Sequence, residues 1–163
     1  MTDDTTNETE IETSERTMTV RRTFDAPRER VFEAWTDPEQ VDQWWGPNGF
    51  TTTTDEMEVR PGGTWRFVMT GPDGDEYPNR VVYDEVEEPE RLVYTHGSPD
   101  DPEMFRMTVT FDEREGGTTE LTMRQQYESA AALDESIAEF GADDGAKQTL
   151  GRLAKHLANG GTP

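Results

Sequence analysis

RTFDAPRERVFEAWTDPEQVDQWWGP, residues 22–47, predicts two short helices in succession. Val31, Phe32 and Trp35 have the spacing of residues that share one face of a helix. Pro38 interrupts that pattern, because proline cannot donate the hydrogen bond that a continuing helix requires. The sequence therefore predicts one short helix before Pro38 and a second one after it.

The second predicted helix carries Val41, Trp44 and Trp45, and Gly46 and Pro47 end it. The two tryptophans are therefore adjacent at its end. Neighbouring residues on a helix point about 100° apart, so the two rings face different surroundings. We therefore expect the two side chains to have different roles.

Strand patterns flank this stretch on both sides. Before it, Met18, Val20 and Phe24 share one parity, which predicts a strand with one buried face. After it, residues 50–127 alternate with period two, and turn motifs such as RPGG and GPDGDE separate the runs. This pattern predicts an antiparallel meander of about six strands.

A helical pattern returns after residue 129. Leu133, Ile137 and Phe140 fit a short helix, which GADDG is expected to interrupt. A longer amphipathic helix follows, with its apolar face formed by Ala146, Leu150, Leu153 and Leu157. The order of elements is an α+β plan, in which a curved antiparallel sheet wraps around a long C-terminal helix and two short helices follow the first strand.

The composition is strongly acidic. The 163 residues include 36 Asp and Glu against 15 Lys and Arg, giving a formal net charge of −21, and 13 of those 15 are Arg. A field of that sign repels nucleic acid and anionic membrane surfaces, so neither is an expected partner. The depletion of lysine with scattered carboxylates is typical of proteins adapted to high salt.

The first 16 residues are polar and acidic without an apolar period, which predicts a disordered tail before a single domain at residues 17–159. Neither a signal segment nor an apolar run long enough to span a membrane is present, so we expect a cytoplasmic protein. With no cysteine and no cluster of ligand residues in the sequence, we expect neither a metal nor another cofactor.

Four segments together carry a family resemblance: residues 22–47, RPGGTWRFVM, PERLVYT and GAKQTLGRLAKHLA. In this order they resemble the SRPBCC superfamily, in the branch similar to the carboxy-terminal domain of activators of the heat-shock protein 90 ATPase. The likeness runs from about residue 17 to 159. It implies the helix-grip fold shared with START-like and birch-pollen-allergen-like domains, which hold an apolar cavity between sheet and helix.

The resemblance gives Trp45 and the inward face of the sheet a candidate role as the cavity wall. We hypothesise that Trp44 packs in the core while Trp45 faces the cavity mouth; the alternative is that both rings are core. Tyrosine hydroxyls would orient a guest, although a bulge near YPNRVVYDEV would change which face they occupy. The candidate ligand-binding residues are Trp45, Trp65, Phe67, Met69, Tyr83, Tyr94, Phe105, Met107, Met123 and Tyr127.

Three classes of function remain open. The first is binding of an apolar or aromatic small molecule, which the domain would sense, sequester or resist. The second is a co-chaperone-like module with a chaperone as partner. The third is a cyclase or hydrolase acting in the cavity, but the sequence suggests no catalytic residue: His96 and His156 read as structural or solvated, and no acidic residue or histidine is placed in the cavity.

Overall fold

An antiparallel sheet of eight strands curves around the C-terminal helix in the computed structural model, which describes residues 9–98, 101 and 103–158 and, within these, all side chains except that of Phe140. The strand order is β1-β2-β8-β7-β6-β5-β4-β3. The strands are β1 Glu10–Ser14, β2 Thr17–Phe24, β3 Thr51–Met57, β4 Thr64–Thr70, β5 Glu76–Glu87, β6 Arg91–Gly97, β7 Phe105–Arg114 and β8 Thr118–Tyr127. The helices are α1 Arg28–Thr36, α2 Pro38–Trp44, α3 Ala130–Phe140 and α4 Ala142–Ala158, with a 3-10 turn at Glu115–Gly117. The predicted helix-grip plan is confirmed.

The two predicted short helices are present as α1 and α2. Asp37 separates them, and its side chain accepts a hydrogen bond from the backbone amide of Glu39, which caps α2. One detail differs from the prediction, since α2 ends at Trp44 and Trp45 has extended backbone angles (φ −68°, ψ 135°). Trp45 therefore leaves the helix and turns its ring towards the sheet.

The sheet buries the face that the alternation predicted. In β2, Met18, Val20 and Phe24 are buried, and the parity of the later strands continues the same face. A bulge, which the sequence left open in YPNRVVYDEV, is present, because the register of β5 against β6 shifts between Tyr83 and Glu85. The helices cover this face and enclose the core.

Strand β1 is a difference from the predicted disordered tail of residues 1–16. It pairs with β2 in register, so that Ile11 lies opposite Val20 and is half-buried. A five-residue strand with a single apolar side chain shows no alternation of apolar and polar residues that could be recognised in the sequence. The ordered domain therefore begins before residue 17, while residues 1–8 lie outside the described part of the chain.

The interruption before the last helix is narrower than the predicted GADDG. Only Gly141 breaks the helix, with left-handed backbone angles (φ 62°, ψ 40°) that glycine adopts without steric cost. Asp143 and Asp144 instead lie in the first turn of α4, where acidic side chains interact favourably with the positive end of the helix dipole. As predicted, α4 buries the face of Ala146, Leu150, Leu153 and Leu157.

Two polar contacts fix α4 against the short helices. Arg30 Nη2 donates to the carbonyl oxygen of Leu157 over 2.8 Å, which satisfies an acceptor at the end of α4. His156 Nε2 lies 3.1 Å from Gln40 Oε1, and both side chains are buried. His156 is therefore structural, as its sequence position suggested.

None of the helices described combines the length and hydropathy that crossing a bilayer requires.

Candidate ligand cavity

A cavity of about 250 Å³ lies between α4 and the inner face of the sheet. Its wall combines aromatic and methionine side chains from the α2–β3 turn and the sheet with small residues of α3 and α4. The lining residues are Trp45, Gly46, Pro47, Met69, Asn79, His96, Phe105, Met107, Met123, Gln125, Tyr127, Ser136, Gly141, Ala142, Gly145, Ala146 and Thr149. Small side chains on α4 are what leave this volume open, because a larger side chain there would reach into it.

Six of the ten residues proposed from the sequence line this cavity. They are Trp45, Met69, Phe105, Met107, Met123 and Tyr127. The other four are not in its lining and are fully buried in the core instead: Trp65, Phe67, Tyr83 and Tyr94. Trp65 and Phe67 stack on each other at 4.1 Å between ring centroids, and Tyr83 and Tyr94 meet edge to face at 5.9 Å. Of these four, Trp65 and Phe67 pack against Trp45 of the cavity wall.

All four tryptophans of the chain form one cluster. Trp44 packs edge to face on Trp35 at 4.9 Å, and its Nε1 donates to the carbonyl oxygen of Ala34 over 3.0 Å. Trp45 is the centre of the cluster, because its ring lies 5.7 Å from Trp35, 5.5 Å from Trp44 and 5.2 Å from Trp65. Trp44 is thus a packing residue, and Trp45 is both packed and part of the cavity wall.

The turn that follows Trp45 is held by the last helix. Arg152 Nη1 donates to the carbonyl oxygens of Gly46 over 2.8 Å and of Pro47 over 3.0 Å. Gly46 has φ 104°, and a Cβ there would come within 3.0 Å of Met69 Cε. Burial lowers the pKa of Arg152, which stays charged. Arg152 was missed by sequence reasoning, because nothing along the helix reveals that carbonyl oxygens face it.

Three polar side chains form a group at one side of the cavity. Tyr127 Oη donates to Gln125 Oε1 over 2.9 Å and lies 3.3 Å from Ser136 Oγ. Burial raises the pKa of Tyr127, so its hydroxyl stays protonated near neutral pH. The hydroxyl expected to orient a guest is therefore already engaged within the protein. The side-chain oxygen of Gln125 accepts this hydrogen bond, so the amide nitrogen is the part of that side chain left to contact a guest.

His96 also lines the cavity, which corrects the expectation that no histidine would be placed there. Its Nε2 lies 2.9 Å from Asn79 Oδ1, and its ring is packed between Phe67 and Phe105. Burial lowers the pKa of His96 to about 4, so the ring is neutral at pH 7. The signal that could have found it is parity, because His96 shares a strand face with Tyr94.

The cavity carries no charged side chain among the lining residues that the structure describes. No group of three potential metal ligands occurs within the described part of the chain either. A general base works best with a pKa near the operating pH, so neutral His96 is better suited to accept a hydrogen bond than a proton. The arrangement favours binding of an uncharged guest.

A curved antiparallel sheet gripping a long C-terminal helix defines a helix-grip domain of the SRPBCC superfamily. Within it, the chain belongs to the family described as activator of Hsp90 ATPase homolog 1-like protein, which matches residues 25–158. The family resemblance seen in the sequence is confirmed.

Solved structures from several bacteria share the fold. Protein Ms6760 from Mycobacterium smegmatis is 29% identical with a TM-score of 0.83, over 92% of this chain and 97% of that one. A Rhodobacter sphaeroides protein is 27% identical with a TM-score of 0.81, over 93% and 99% of the two chains. The AHSA1 protein from Silicibacter pomeroyi is 24% identical with a TM-score of 0.69, over 87% and 97%, and this likeness concerns the fold alone. Among curated proteins, none matches this chain significantly.

Proposed function

We propose that this chain binds a small apolar molecule in the cavity beneath α4 and thereby senses or sequesters it. The observation that carries the proposal is a largely apolar pocket of about 250 Å³ that opens between α4 and the inner face of the sheet. Binding sites are typically apolar clefts with a few polar groups, as here.

The wall suits guests that vary in shape. Met69, Met107 and Met123 contribute flexible and polarisable side chains, and Trp45 and Phe105 contribute flat ones. An engineered apolar cavity of about 150 Å³ accommodates benzene, which sets the scale for the guest. In proportion, the present cavity would hold a guest of about ten non-hydrogen atoms.

Naphthalene is a suitable first probe, and its binding can be followed by NMR through the backbone amide shifts of the protein. We expect shifts concentrated on residues of the cavity wall. Ala146→Leu should abolish them, because Ala146 lines the cavity and a larger side chain would occupy it. Ala154→Leu is the matched control, since Ala154 lies on the same helix away from this cavity.

Two outcomes of this titration would refute the binding function. One is the absence of saturable shifts at the solubility limit of naphthalene. The other is a set of shifts that Ala146→Leu leaves unchanged, because the probe would then bind elsewhere. Retention of the unfolding midpoint in both variants checks that the fold survives the substitutions.

A co-chaperone-like interaction is the second candidate function, and the family description favours it. Among the described residues, however, the large apolar side chains that are exposed are Tyr77 and Met104. Two scattered side chains make a weak docking surface for a protein partner. The test is whether the purified chain changes the ATPase rate of a heat-shock protein 90, and a rate increase that survives Ala146→Leu would favour this function over ligand binding.

A further inference from the structure

Most side chains of the cavity wall that can donate a hydrogen bond already have an acceptor within the protein. They are Asn79, His96, Tyr127, Ser136 and Thr149. The hydroxyl of Thr149, for example, donates to the carbonyl oxygen of Gly145 over 2.8 Å. A guest would have to break such contacts in order to accept a hydrogen bond from these groups.

Gln125 is an exception, because its amide nitrogen has no acceptor among the described residues. On β8 it shares the inner face of the sheet with Met123 and Tyr127, and Met107 lies opposite it on β7. All four of these residues line the cavity. The side chain of Gln125 accepts from Tyr127 Oη through its oxygen, so Nε2 is its unengaged end. Gln125 is 8% exposed, and Nε2 keeps part of that surface, since it does not belong to the fully enclosed polar atoms that lack a partner.

Trp45 offers a second donor of the same kind. The indole nitrogens of Trp44 and Trp65 donate to oxygen atoms of the protein, and Trp35 Nε1 is fully enclosed. Trp45 Nε1 has no acceptor among the described residues and is not enclosed in that way. An indole nitrogen can only donate a hydrogen bond. The unengaged side-chain nitrogens of the wall therefore favour a guest that accepts.

The wall offers these donors without a charge. The described lining contains no Asp, Glu, Lys or Arg, although the chain as a whole carries a net charge of −21. A carboxylate guest would lose its hydration on entry and find no cation in the wall. It would also have to approach through a field of its own sign. A neutral acceptor avoids both costs.

Resting on the binding function proposed above, we propose that the guest is a neutral apolar molecule with a carbonyl oxygen, which accepts a hydrogen bond from Gln125 Nε2. A carbonyl group accepts and does not donate, so it matches a wall whose unengaged side-chain nitrogens are donors. A pure hydrocarbon would displace water from Nε2 without replacing its hydrogen bond, which costs free energy. Gln125 is thus the residue that distinguishes a carbonyl compound from a hydrocarbon of the same shape.

Three probes of equal size test the proposal at pH 7: acetophenone, isopropylbenzene and benzoate. In Gln125→Met, which keeps the length of the side chain and removes the donor, the affinity for acetophenone should fall about three- to tenfold, the range that one net hydrogen bond contributes. The affinity for isopropylbenzene should not fall. The ratio of the two changes isolates the hydrogen bond from the different hydrophobicity of the probes.

Gln126→Met is the matched control. Gln126 is the next residue on β8, so its side chain points to the other face of the sheet, and it is not in the cavity lining. This variant should leave the affinities for acetophenone and isopropylbenzene unchanged. A loss of acetophenone affinity in Gln126→Met equal to that in Gln125→Met would overturn the assignment of the donor.

Infrared spectroscopy on the unaltered protein keeps the test decisive if Gln125→Met does not fold. Acetophenone labelled with ¹³C at its carbonyl carbon gives a stretching band separate from that of the protein amides. Because accepting a hydrogen bond weakens the C=O bond, the band of the bound probe should lie at a lower wavenumber than in hexane. A band at the hexane position would show a carbonyl without a donor and overturn the proposal.

The outcomes separate this inference from the binding function. If neither acetophenone nor isopropylbenzene binds, the binding function fails and this inference fails with it. If isopropylbenzene binds and acetophenone does not, or if Gln125→Met weakens neither or both equally, the cavity is a binding site but the hydrogen bond from Gln125 is wrong. Tighter binding of benzoate than of acetophenone would overturn the requirement for a neutral guest.

Discussion

Alanine substitutions of the adjacent tryptophans separate packing from ligand contact. Both Trp44 and Trp45 are buried, so each substitution should lower the free energy of unfolding by about 3–5 kcal/mol, the range for truncating a buried aromatic side chain. Trp44→Ala also leaves the carbonyl oxygen of Ala34 without its donor at 3.0 Å. Although the sequence placed Trp45 at the cavity mouth, its four aromatic neighbours make a cost comparable to that of Trp44 the expectation.

The two variants should differ in binding. Trp45 forms part of the cavity wall, so Trp45→Ala enlarges the cavity and removes a ring that contacts the guest. The affinity for naphthalene should therefore change. Trp44 is not in the lining, and its ring lies against Trp35 on the side of the short helices. Trp44→Ala should leave the affinity unchanged under conditions where the variant is folded.

Urea unfolding followed by circular dichroism is the appropriate assay, because the tryptophan fluorescence itself changes in both variants. Equal slopes of the free energy against urea would show that the comparison is between like states. A loss below about 1 kcal/mol for Trp45→Ala would refute its place in the aromatic core, given the magnitude expected for a buried ring. A changed naphthalene affinity in Trp44→Ala, with Trp45→Ala unaffected, would reverse the assignment of the two rings.

Three further predictions concern salt, pH and the first strand. Raising KCl from low to molar concentration should raise the urea midpoint steeply, since it screens repulsion within a chain of net charge −21; a flat midpoint would remove the argument for salt adaptation. The pKa of His96 is about 4 in the folded protein and 6.5 in the unfolded reference state. The unfolded chain therefore takes up the proton first, so the free energy of unfolding is highest above pH 6.5 and falls as the pH is lowered towards 4. That loss amounts to about 3 kcal/mol, and a pH profile of His96→Phe parallel to that of the unaltered protein would contradict it. Deleting residues 1–15 should cost about 1 kcal/mol of unfolding free energy through the half-buried Ile11, and an unchanged midpoint would show that β1 contributes nothing.

The sequence was sufficient for the fold because its strongest patterns were set by burial. Val31, Phe32 and Trp35 repeat with the helical period on α1, and the structure buries all three. The sequence left open a bulge in YPNRVVYDEV that would change the face of Tyr83, and a register shift lies between Tyr83 and Glu85. Such patterns survive in a sequence because a misplaced side chain would expose apolar surface to water.

The division of the inner face into cavity wall and filled core could not be predicted in the same way. Alternation identifies the face on which Phe67 and Met69 lie, but not how deep beneath a helix each one sits. That depth depends on where α4 crosses the sheet, which Arg152 helps to fix through contacts with Gly46 and Pro47 that lie more than a hundred residues away in the chain. Long-range contacts of this kind leave no local period to detect.

The segregation of charge links the acidic composition to the proposed site. Ion pairs of the described residues, such as Arg66 with Glu56 and Arg106 with Asp84, lie at the surface with their side chains substantially exposed. Pairs of that kind contribute little and are screened by salt. The cavity lining holds no charge, so salt has no pair to screen where a neutral guest would contact the wall. Screening would therefore act on the stability of the fold, while binding at the proposed site would depend on the uncharged wall that Trp45 and the methionines form.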